Sequence, residues 1–114
     1  MQDTIFSKII RREIPADIVF EDDRVLAFRD ISPQAPVHVL FVPKQPYRSL
    51  NEVPESEASL VGSLMLSAAA YARLEGFAED GYRLVMNINR DGGQTVFHMH
   101  LHLLAGRAMH GGFG

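Results

Sequence analysis

Apolar residues recur along the chain with two periods, and each period predicts a different element. Phe6, Ile9 and Ile10 have helical spacing, which predicts a short helix capped by Asp3 and ended soon after by Pro15. Apolar runs that are typical of strands cover residues 18–21, 25–28, 37–42, 82–87 and 95–104.

A long helix is predicted to begin around residues 54–57 and to run to about Leu74, with Gly76 as its terminator. The short connections in the first half of the chain favour antiparallel pairing. We therefore predict an α+β fold in which a five-stranded, mainly antiparallel sheet carries a short N-terminal helix and one long helix. Residues 1–114 are expected to form one domain, with 105–114 as a C-terminal tail.

The long helix lacks the polar stripe that a surface helix normally shows. Apolar side chains between Leu60 and Ala72 spread around most of its circumference. A small domain covers one side of such a helix, so we expect a second copy of the chain to cover another side, as in a homodimer. The alternative is a solvent-exposed face rich in alanine and serine, which a helix tolerates.

Composition excludes several classes of protein. The chain has no cysteine, which excludes disulfides and thiolate metal sites and favours a reducing, cytoplasmic location. No apolar stretch reaches the roughly 18 residues of a membrane span, and the first residues do not form a signal peptide, so no membrane partner is expected. The net charge of −3 argues against binding a nucleic acid polymer, but a local site can still hold a small anion.

Three of the five histidines, His98, His100 and His102, stand at alternate positions. Side chains at period two share one face of a strand, so three imidazoles would lie in a row. The opposite face would be almost wholly apolar and is predicted to be core; it comprises Thr95, Phe97, Met99, Leu101 and Leu103.

This row of histidines has three explanations. In a structural role, each partly buried ring would need hydrogen-bond partners. A metal site could use His98 and His100, but His98 and His102 would stand about 13 Å apart, too far to share one ion at about 2.1 Å. A nucleophile uses all three positions, because one neighbour can orient the central ring while the other holds phosphate oxygens. We favour the nucleophile and expect no metal and no cofactor.

A glycine pair precedes the histidines, in Asp91-Gly92-Gly93. Glycine lets backbone N–H groups turn toward an anion and form a nest for phosphate. The same pair also suits a plain hairpin turn, so its weight comes from its place beside the histidines.

Residues 98–104 resemble the His-φ-His-φ-His-φ-φ signature of the histidine-triad (HIT) superfamily, where φ is an apolar residue. Residues 30–38, 91–96 and 5–15 resemble its Hint branch, the nucleoside phosphoramidases. The dinucleoside polyphosphate hydrolase branch is less similar over residues 30–38 and 105–107. The resemblance covers nearly the whole chain. It implies a HIT-like fold and hydrolysis of purine nucleoside 5′-phosphoramidates, aminoacyl-adenylates included, to a nucleotide and an amine.

The resemblance implies a catalytic role for five residues. His100 would be the nucleophile and form a nucleotidyl-histidine intermediate, and His102 would contact the α-phosphate. His98 and His38 would belong to the hydrogen-bond network that sets the tautomer and orientation of His100. Thr95 would assist the leaving group through its hydroxyl.

Further residues would bind the purine nucleotide by the same resemblance. The N–H groups of Gly93 and Thr95, within the Gly93-Gln94-Thr95 segment, would bind phosphate. Asn87 would hold the phosphate or the 5′ oxygen, and Asp30 would accept hydrogen bonds from the ribose hydroxyls. The base would lie against Ile5, Phe6, Ile9, Phe28 and Ile31.

Several of these residues also suit simpler roles. Asp30 could close an Asx turn, Asn87 could cap the loop that follows it, and His38 could be structural. Phe6 and Ile9 have the spacing of core residues.

The sequence also departs from the family's pattern. Ser7 stands where some relatives carry a zinc-binding cysteine, so no structural zinc is expected. The tail lacks the tryptophan of animal relatives, which leaves Met109, His110 and Phe113 as the side chains able to touch a leaving group. Two rival functions remain open: a nucleotide-binding regulatory module with incidental hydrolysis, and a metal-binding protein that uses His98 and His100.

Overall fold

The computed structural model describes residues 3–112 and contains one five-stranded sheet with a helix on each face. Its elements are α1 (Ile5–Ile10), β1 (Ile18–Glu21), β2 (Val25–Arg29), β3 (Val37–Pro43), α2 (Ala58–Glu75), β4 (Arg83–Val85) and β5 (Leu101–Ala105). Two 3₁₀ turns, Leu50–Glu52 and Glu55–Glu57, lead into α2. The strand order is β1-β2-β3-β5-β4 and all four pairings are antiparallel. The predicted α+β fold is confirmed.

The sheet buries a different cluster on each face, because successive side chains of a strand point to opposite sides. One face, the α2 face, packs against the long helix and includes Val39, Phe41, Leu64, Ala68, Tyr71, Leu101 and Leu103. The other, the α1 face, packs against the short helix and includes Phe6, Ile9, Leu26, Phe28, Leu40 and Val42.

Both helices end at residues whose chemistry accounts for the boundary. Thr4, and not Asp3 as predicted, caps α1: its hydroxyl accepts the Ser7 N–H at 3.1 Å, and the Ser7 hydroxyl accepts the Thr4 N–H at 3.3 Å. Asp3 lies one residue too early for this and pairs with Arg11 at 2.7 Å. The predicted terminator Gly76 is confirmed, with a φ of 86° that favours glycine.

The last two strands are shorter than predicted. The strand expected over 95–104 begins only at Leu101, because the preceding segment bonds to a loop: the Met99 N–H donates to the Tyr47 carbonyl at 2.8 Å. β4 covers only Arg83–Val85 of the predicted 82–87. Ala105 is the last residue of β5 and pairs with Val37, so the tail begins one residue later than expected.

No helix among residues 3–112 is long and apolar enough to cross a membrane.

Candidate active site

The three histidines of the motif lie close together on the α1 face, although only His102 belongs to a strand. His98 is fully buried and His100 is 5% exposed. The ring centroids of His100 and His102 are 5.0 Å apart, and the edge-to-face contact between His100 and Phe6 is also 5.0 Å. The short helix therefore packs directly against the central histidine.

His100 is held in one tautomer by a backbone group. Its Nδ1 lies 2.9 Å from the carbonyl oxygen of His98. A carbonyl can only accept, so Nδ1 carries the proton and Nε2 of the neutral ring keeps its lone pair. Burial lowers the pKa of His100, which keeps the ring neutral near pH 7. The arrangement leaves an unprotonated ring nitrogen on a residue that lines a cavity.

His38 and His102 form a second chain of hydrogen bonds. The Gln34 N–H donates to His38 Nδ1 at 3.0 Å, so His38 carries its proton on Nε2. That nitrogen lies 2.9 Å from His102 Nδ1 and donates to it, which leaves the His102 proton on Nε2. Burial, with the nearby His100 and His38, lowers the pKa of His102 to about 4. His102 is thus a neutral ring with one N–H to offer a ligand.

The hydrogen bonds of His98 differ from those predicted. Its Nε2–H donates to the Pro43 carbonyl at 2.7 Å, and its Nδ1 is buried without a partner among the described residues. It orients His100 through its backbone carbonyl and not through its imidazole. His38, likewise, bonds to His102 and not to the nucleophile candidate.

A cavity of about 280 Å³ opens beside these rings. Its lining includes nine of the predicted site residues: Ile5, Phe6, Ile9, Phe28, Asp30, Ile31, Thr95, His100 and His102. The sequence analysis missed Ile14, Pro15, Ala16, Arg29, Leu40 and Val96, which line it too. Leu40 could have been found, because it alternates with His38 on β3 and so shares its face. No local signal marks residues 14–16.

Asp30 is placed by the turn that follows β2. Its Oδ1 accepts the Ser32 N–H at 2.8 Å, as in an Asx turn, and its Oδ2 lies 3.6 Å from His38 Nε2. Ligand atoms of Asp30, His38 and His102 lie within 4.8 Å of one another. A cation there would need the Nε2 lone pair of His38, which the Gln34 N–H disfavours by holding Nδ1 as an acceptor. The group fits a hydrogen-bond chain better than a cation site.

The glycine loop is arranged differently from the predicted phosphate nest. The Gly93 N–H donates to the Arg90 carbonyl at 3.0 Å, so this geometry does not offer it to phosphate. Asn87 donates its amide to the Gly92 carbonyl at 2.7 Å and thereby ties the loop, its simpler predicted role. Gly92 is required for close packing, since a Cβ there would lie 2.4 Å from the Ile88 carbonyl oxygen.

Gln94 and Thr95, which follow, have contrasting surroundings. The Gln94 side chain is buried and bonds to the backbone of Asn89, Arg48 and Val96, so it builds the loop and does not reach a ligand. Thr95 is exposed at the cavity, and within residues 3–112 its N–H makes no hydrogen bond.

Comparison with known proteins identifies the family of this chain. The family model described as "HIT domain" matches residues 11–109. The chain belongs to the HIT family.

Relatives in this family are similar over almost their whole length. A purine nucleoside phosphoramidase from Escherichia coli (strain K12) is 56% identical over 108 residues, which are 95% of this chain and 91% of the relative. A HIT family hydrolase from Legionella pneumophila has a TM-score of 0.92 at 49% identity, covering 95% of this chain and 96% of that one. A histidine triad protein from Clostridium difficile has a TM-score of 0.94 at 43% identity, covering 99% and 98%. The resemblance and the HIT-like fold predicted from the sequence are confirmed.

Proposed function

We propose that this HIT protein hydrolyses purine nucleoside 5′-phosphoramidates to a nucleoside monophosphate and an amine, through a nucleotidyl intermediate on His100. The single observation that carries the proposal is the buried, neutral His100, whose Nδ1–H is bound to the His98 carbonyl and whose Nε2 is free to attack. The name of the E. coli relative supports this class of substrate.

The first step is attack of His100 Nε2 on the α-phosphorus. A bond forms between His100 Nε2 and phosphorus while the phosphorus–amine bond breaks, and the leaving amine takes a proton from a solvent water, which becomes hydroxide. The His98 carbonyl stabilises the positive charge that develops on the ring, because it accepts a hydrogen bond from the Nδ1–H throughout. Water then attacks the intermediate, releases the nucleotide and restores the neutral imidazole.

The phosphoryl oxygens need donors placed in advance, because their negative charge increases in the transition state. His102 supplies one through its Nε2–H, which the chain from Gln34 and His38 keeps protonated. The free N–H of Thr95 is a second donor at the cavity, and the Thr95 hydroxyl, on the same lining residue, would serve the leaving amine. Neutral donors suit this role, because they bind the oxygens without giving a proton to the nucleophilic nitrogen.

The nucleoside would lie in the apolar part of the same cavity. Phe6 and Phe28, in edge-to-face contact at 5.4 Å, form a rigid floor, and Ile31, which is 92% exposed, forms a rim that the base would cover. Asp30 Oδ2 is the acceptor available to the ribose hydroxyls, since Oδ1 is held by the Ser32 N–H. An apolar site for a flat base and one carboxylate for the sugar diol suit a nucleoside.

The decisive experiment is a hydrolysis panel of AMP amides, aminoacyl-adenylates and dinucleoside polyphosphates. We expect kcat/KM to be highest for compounds with a phosphorus–nitrogen bond or an acyl phosphate. Preference for dinucleoside polyphosphates would contradict the proposal in favour of the other hydrolase branch. Tight nucleotide binding without turnover of any compound would favour a regulatory binding module.

We further propose that two copies of the chain form a homodimer with joined sheets. β4 is an edge strand, so one side of it has no partner within the described chain. On α2, Leu66 and Leu74 are 71% and 81% exposed and lie two turns apart on one stripe. A second copy that pairs with β4 and packs on α2 would cover both features.

Sedimentation tests the dimer. We expect a dimer at micromolar concentration, and Leu66→Glu should weaken it, whereas Leu50→Glu, a control on an exposed leucine outside α2, should not. A monomeric native chain would contradict the dimer. The tail passes β4, since Arg83 donates to the Gly111 carbonyl at 3.4 Å, so it lies at the edge where a second copy would pair. Phe113 lies outside the described residues.

A further inference from the structure

Arg107 follows β5 and lies outside the nucleotide cavity, yet it bonds to the loop that carries His38. Its Nη2 donates to the Gln34 carbonyl at 2.8 Å, and its Nη1 donates to the Ala108 carbonyl at 3.1 Å. Arg107 is not among the described residues that line the nucleotide cavity. Any effect of this side chain on the reaction must therefore pass through another residue.

The preceding residue, Gly106, packs against the same loop. A Cβ at Gly106 would come within 2.7 Å of the Pro36 Cβ, and the φ of 97° at Gly106 also favours glycine. The turn after β5 thus holds the loop at two points, Gln34 and Pro36. The loop itself is irregular and Gln34 is exposed; the Gln34 side chain bonds within the loop, to the Ser32 carbonyl at 3.2 Å, and that bond does not tie the loop to β5.

Gln34 is the residue whose backbone sets the tautomer of His38. Its carbonyl accepts from Arg107, while its N–H donates to His38 Nδ1 at 3.0 Å. A shift of this residue by an ångström would lengthen that bond beyond hydrogen-bonding distance. His38 could then carry its proton on Nδ1, and its Nε2 would no longer donate to His102.

We propose that Arg107 is a positioning residue: through the Gln34 backbone it keeps His38 and His102 in the tautomers that present an N–H to the α-phosphate. The inference rests on the proposed function and deepens it. When the bond between Arg107 and Gln34 is lost, His102 carries its proton on Nδ1 and donates it to the His38 Nε2 lone pair. The His102 Nε2 then presents a lone pair to the phosphoryl oxygens. Repulsion then replaces a hydrogen bond in the transition state.

The test compares Arg107→Ala, Arg107→Lys and the control Arg90→Ala, whose side chain bonds only to the adjacent Asp91 among the described residues. Arg107→Ala should lower kcat about 2- to 30-fold, the range for a residue that acts through another, with KM nearly unchanged. Arg107→Lys keeps a single cationic donor nitrogen in place of two and should recover part of kcat. Arg90→Ala should behave as the native chain.

Nitrogen-15 NMR of the histidine rings gives the second readout, which a purely structural role would not move. In the native chain His38 should be protonated on Nε2, and in Arg107→Ala part of the population should carry the proton on Nδ1. The inference is overturned if His38 keeps its native tautomer in Arg107→Ala, or if the tautomer changes while kcat stays within twofold of native. The NMR measurement needs no substrate, so it separates failure of this inference from failure of the proposed function.

Discussion

The two faces of the sheet are covered by helices of very different length. α2 has 18 residues and closes an apolar cluster in which Phe41, Leu64 and Leu103 are fully buried. α1 has six residues and covers only part of the opposite face, where the cavity of about 280 Å³ opens beside His100. The long helix therefore provides the core, and the short one leaves room for a ligand.

The difference extends to the polar groups on each face. On the α1 face the imidazoles are buried against backbone atoms, namely the His98 and Pro43 carbonyls and the Gln34 N–H. Such partners fix a tautomer without adding a charge. A face that is only partly covered can thus keep buried histidines neutral, oriented and close to a ligand. We expect substitutions on the α2 face to lower stability, and those on the α1 face to lower activity.

The largest expected effect is on activity and follows removal of the central imidazole. His100→Ala should lower kcat by about 10⁴-fold or more, about 5.4 kcal/mol, because His102, the other histidine that lines the cavity within residues 3–112, presents an N–H and not a lone pair. Nucleotide binding should survive, because the walls and Asp30 remain. Isothermal titration with AMP and steady-state kinetics measure the two effects, and Glu79→Ala, at an exposed residue that does not line the cavity, is the control. Near-native kcat in His100→Ala would contradict the mechanism.

The next effect compares the two faces of the sheet by substituting two neighbouring residues of β3 that point to opposite faces. Phe41→Ala should lower the free energy of unfolding by about 3–5 kcal/mol, since Phe41 is fully buried on the α2 face. Leu40→Ala should lower it by about 2–5 kcal/mol and should also raise KM, because Leu40 lines the cavity. Urea unfolding and kinetics of both variants provide the comparison. An equal change of KM in the two variants would mean that the faces are not functionally distinct.

A smaller effect concerns the sugar. Asp30→Ala should weaken binding of ribonucleotides by about 1.5–3 kcal/mol, the value of a hydrogen bond to a charged group, and that of 2′-deoxyribonucleotides by less. Asp30→Asn is the matched control, because it keeps an oxygen for the Ser32 N–H and loses only the charge. Equal losses for both sugars, measured by titration calorimetry, would assign Asp30 to the turn alone.

The smallest effect per residue is a gradual dependence of stability on pH. Burial lowers the pKa of His38, His98, His100 and His102, the last to about 4. Between those values and pH 6.5 the unfolded chain binds more protons than the folded chain, so acidification lowers the free energy of unfolding. Each histidine contributes up to about 1.4 kcal/mol per pH unit.

Urea midpoints at pH 7 and pH 5 measure this slope. His98→Gln should reduce it, because the variant removes one buried imidazole. Constant stability between the two pH values would show that the rings on the α1 face are not held neutral.

Sequence reasoning succeeded where the signals were local. β1 has the predicted bounds because Asp22 closes the following turn with its own carboxylate, which accepts the Arg24 N–H at 2.9 Å. The end of α2 follows from one glycine, Gly76. The irregular segment before β5 was mistaken for strand because its partner, the Tyr47 carbonyl, is remote in sequence.

The same distinction applies to the site. The alternate spacing of the histidines predicts a central nucleophile beside a ring that holds phosphate oxygens, the family resemblance assigns these roles to His100 and His102, and both line the cavity. The groups that set their tautomers are backbone atoms of Gln34 and Pro43, and the side chains of those residues carry no sign of that role. Their contribution depends on tertiary structure alone.

The most direct test of the central claim is to identify the residue that becomes nucleotidylated. The native enzyme would be mixed with an AMP amide, quenched with alkali within milliseconds, digested and analysed by mass spectrometry. We expect one nucleotidyl group on the peptide that contains residues 98–102, attached to Nε2 of His100 and absent from His100→Ala. A nucleotidyl group on another residue, or rapid turnover with no labelled peptide at any time, would contradict the account.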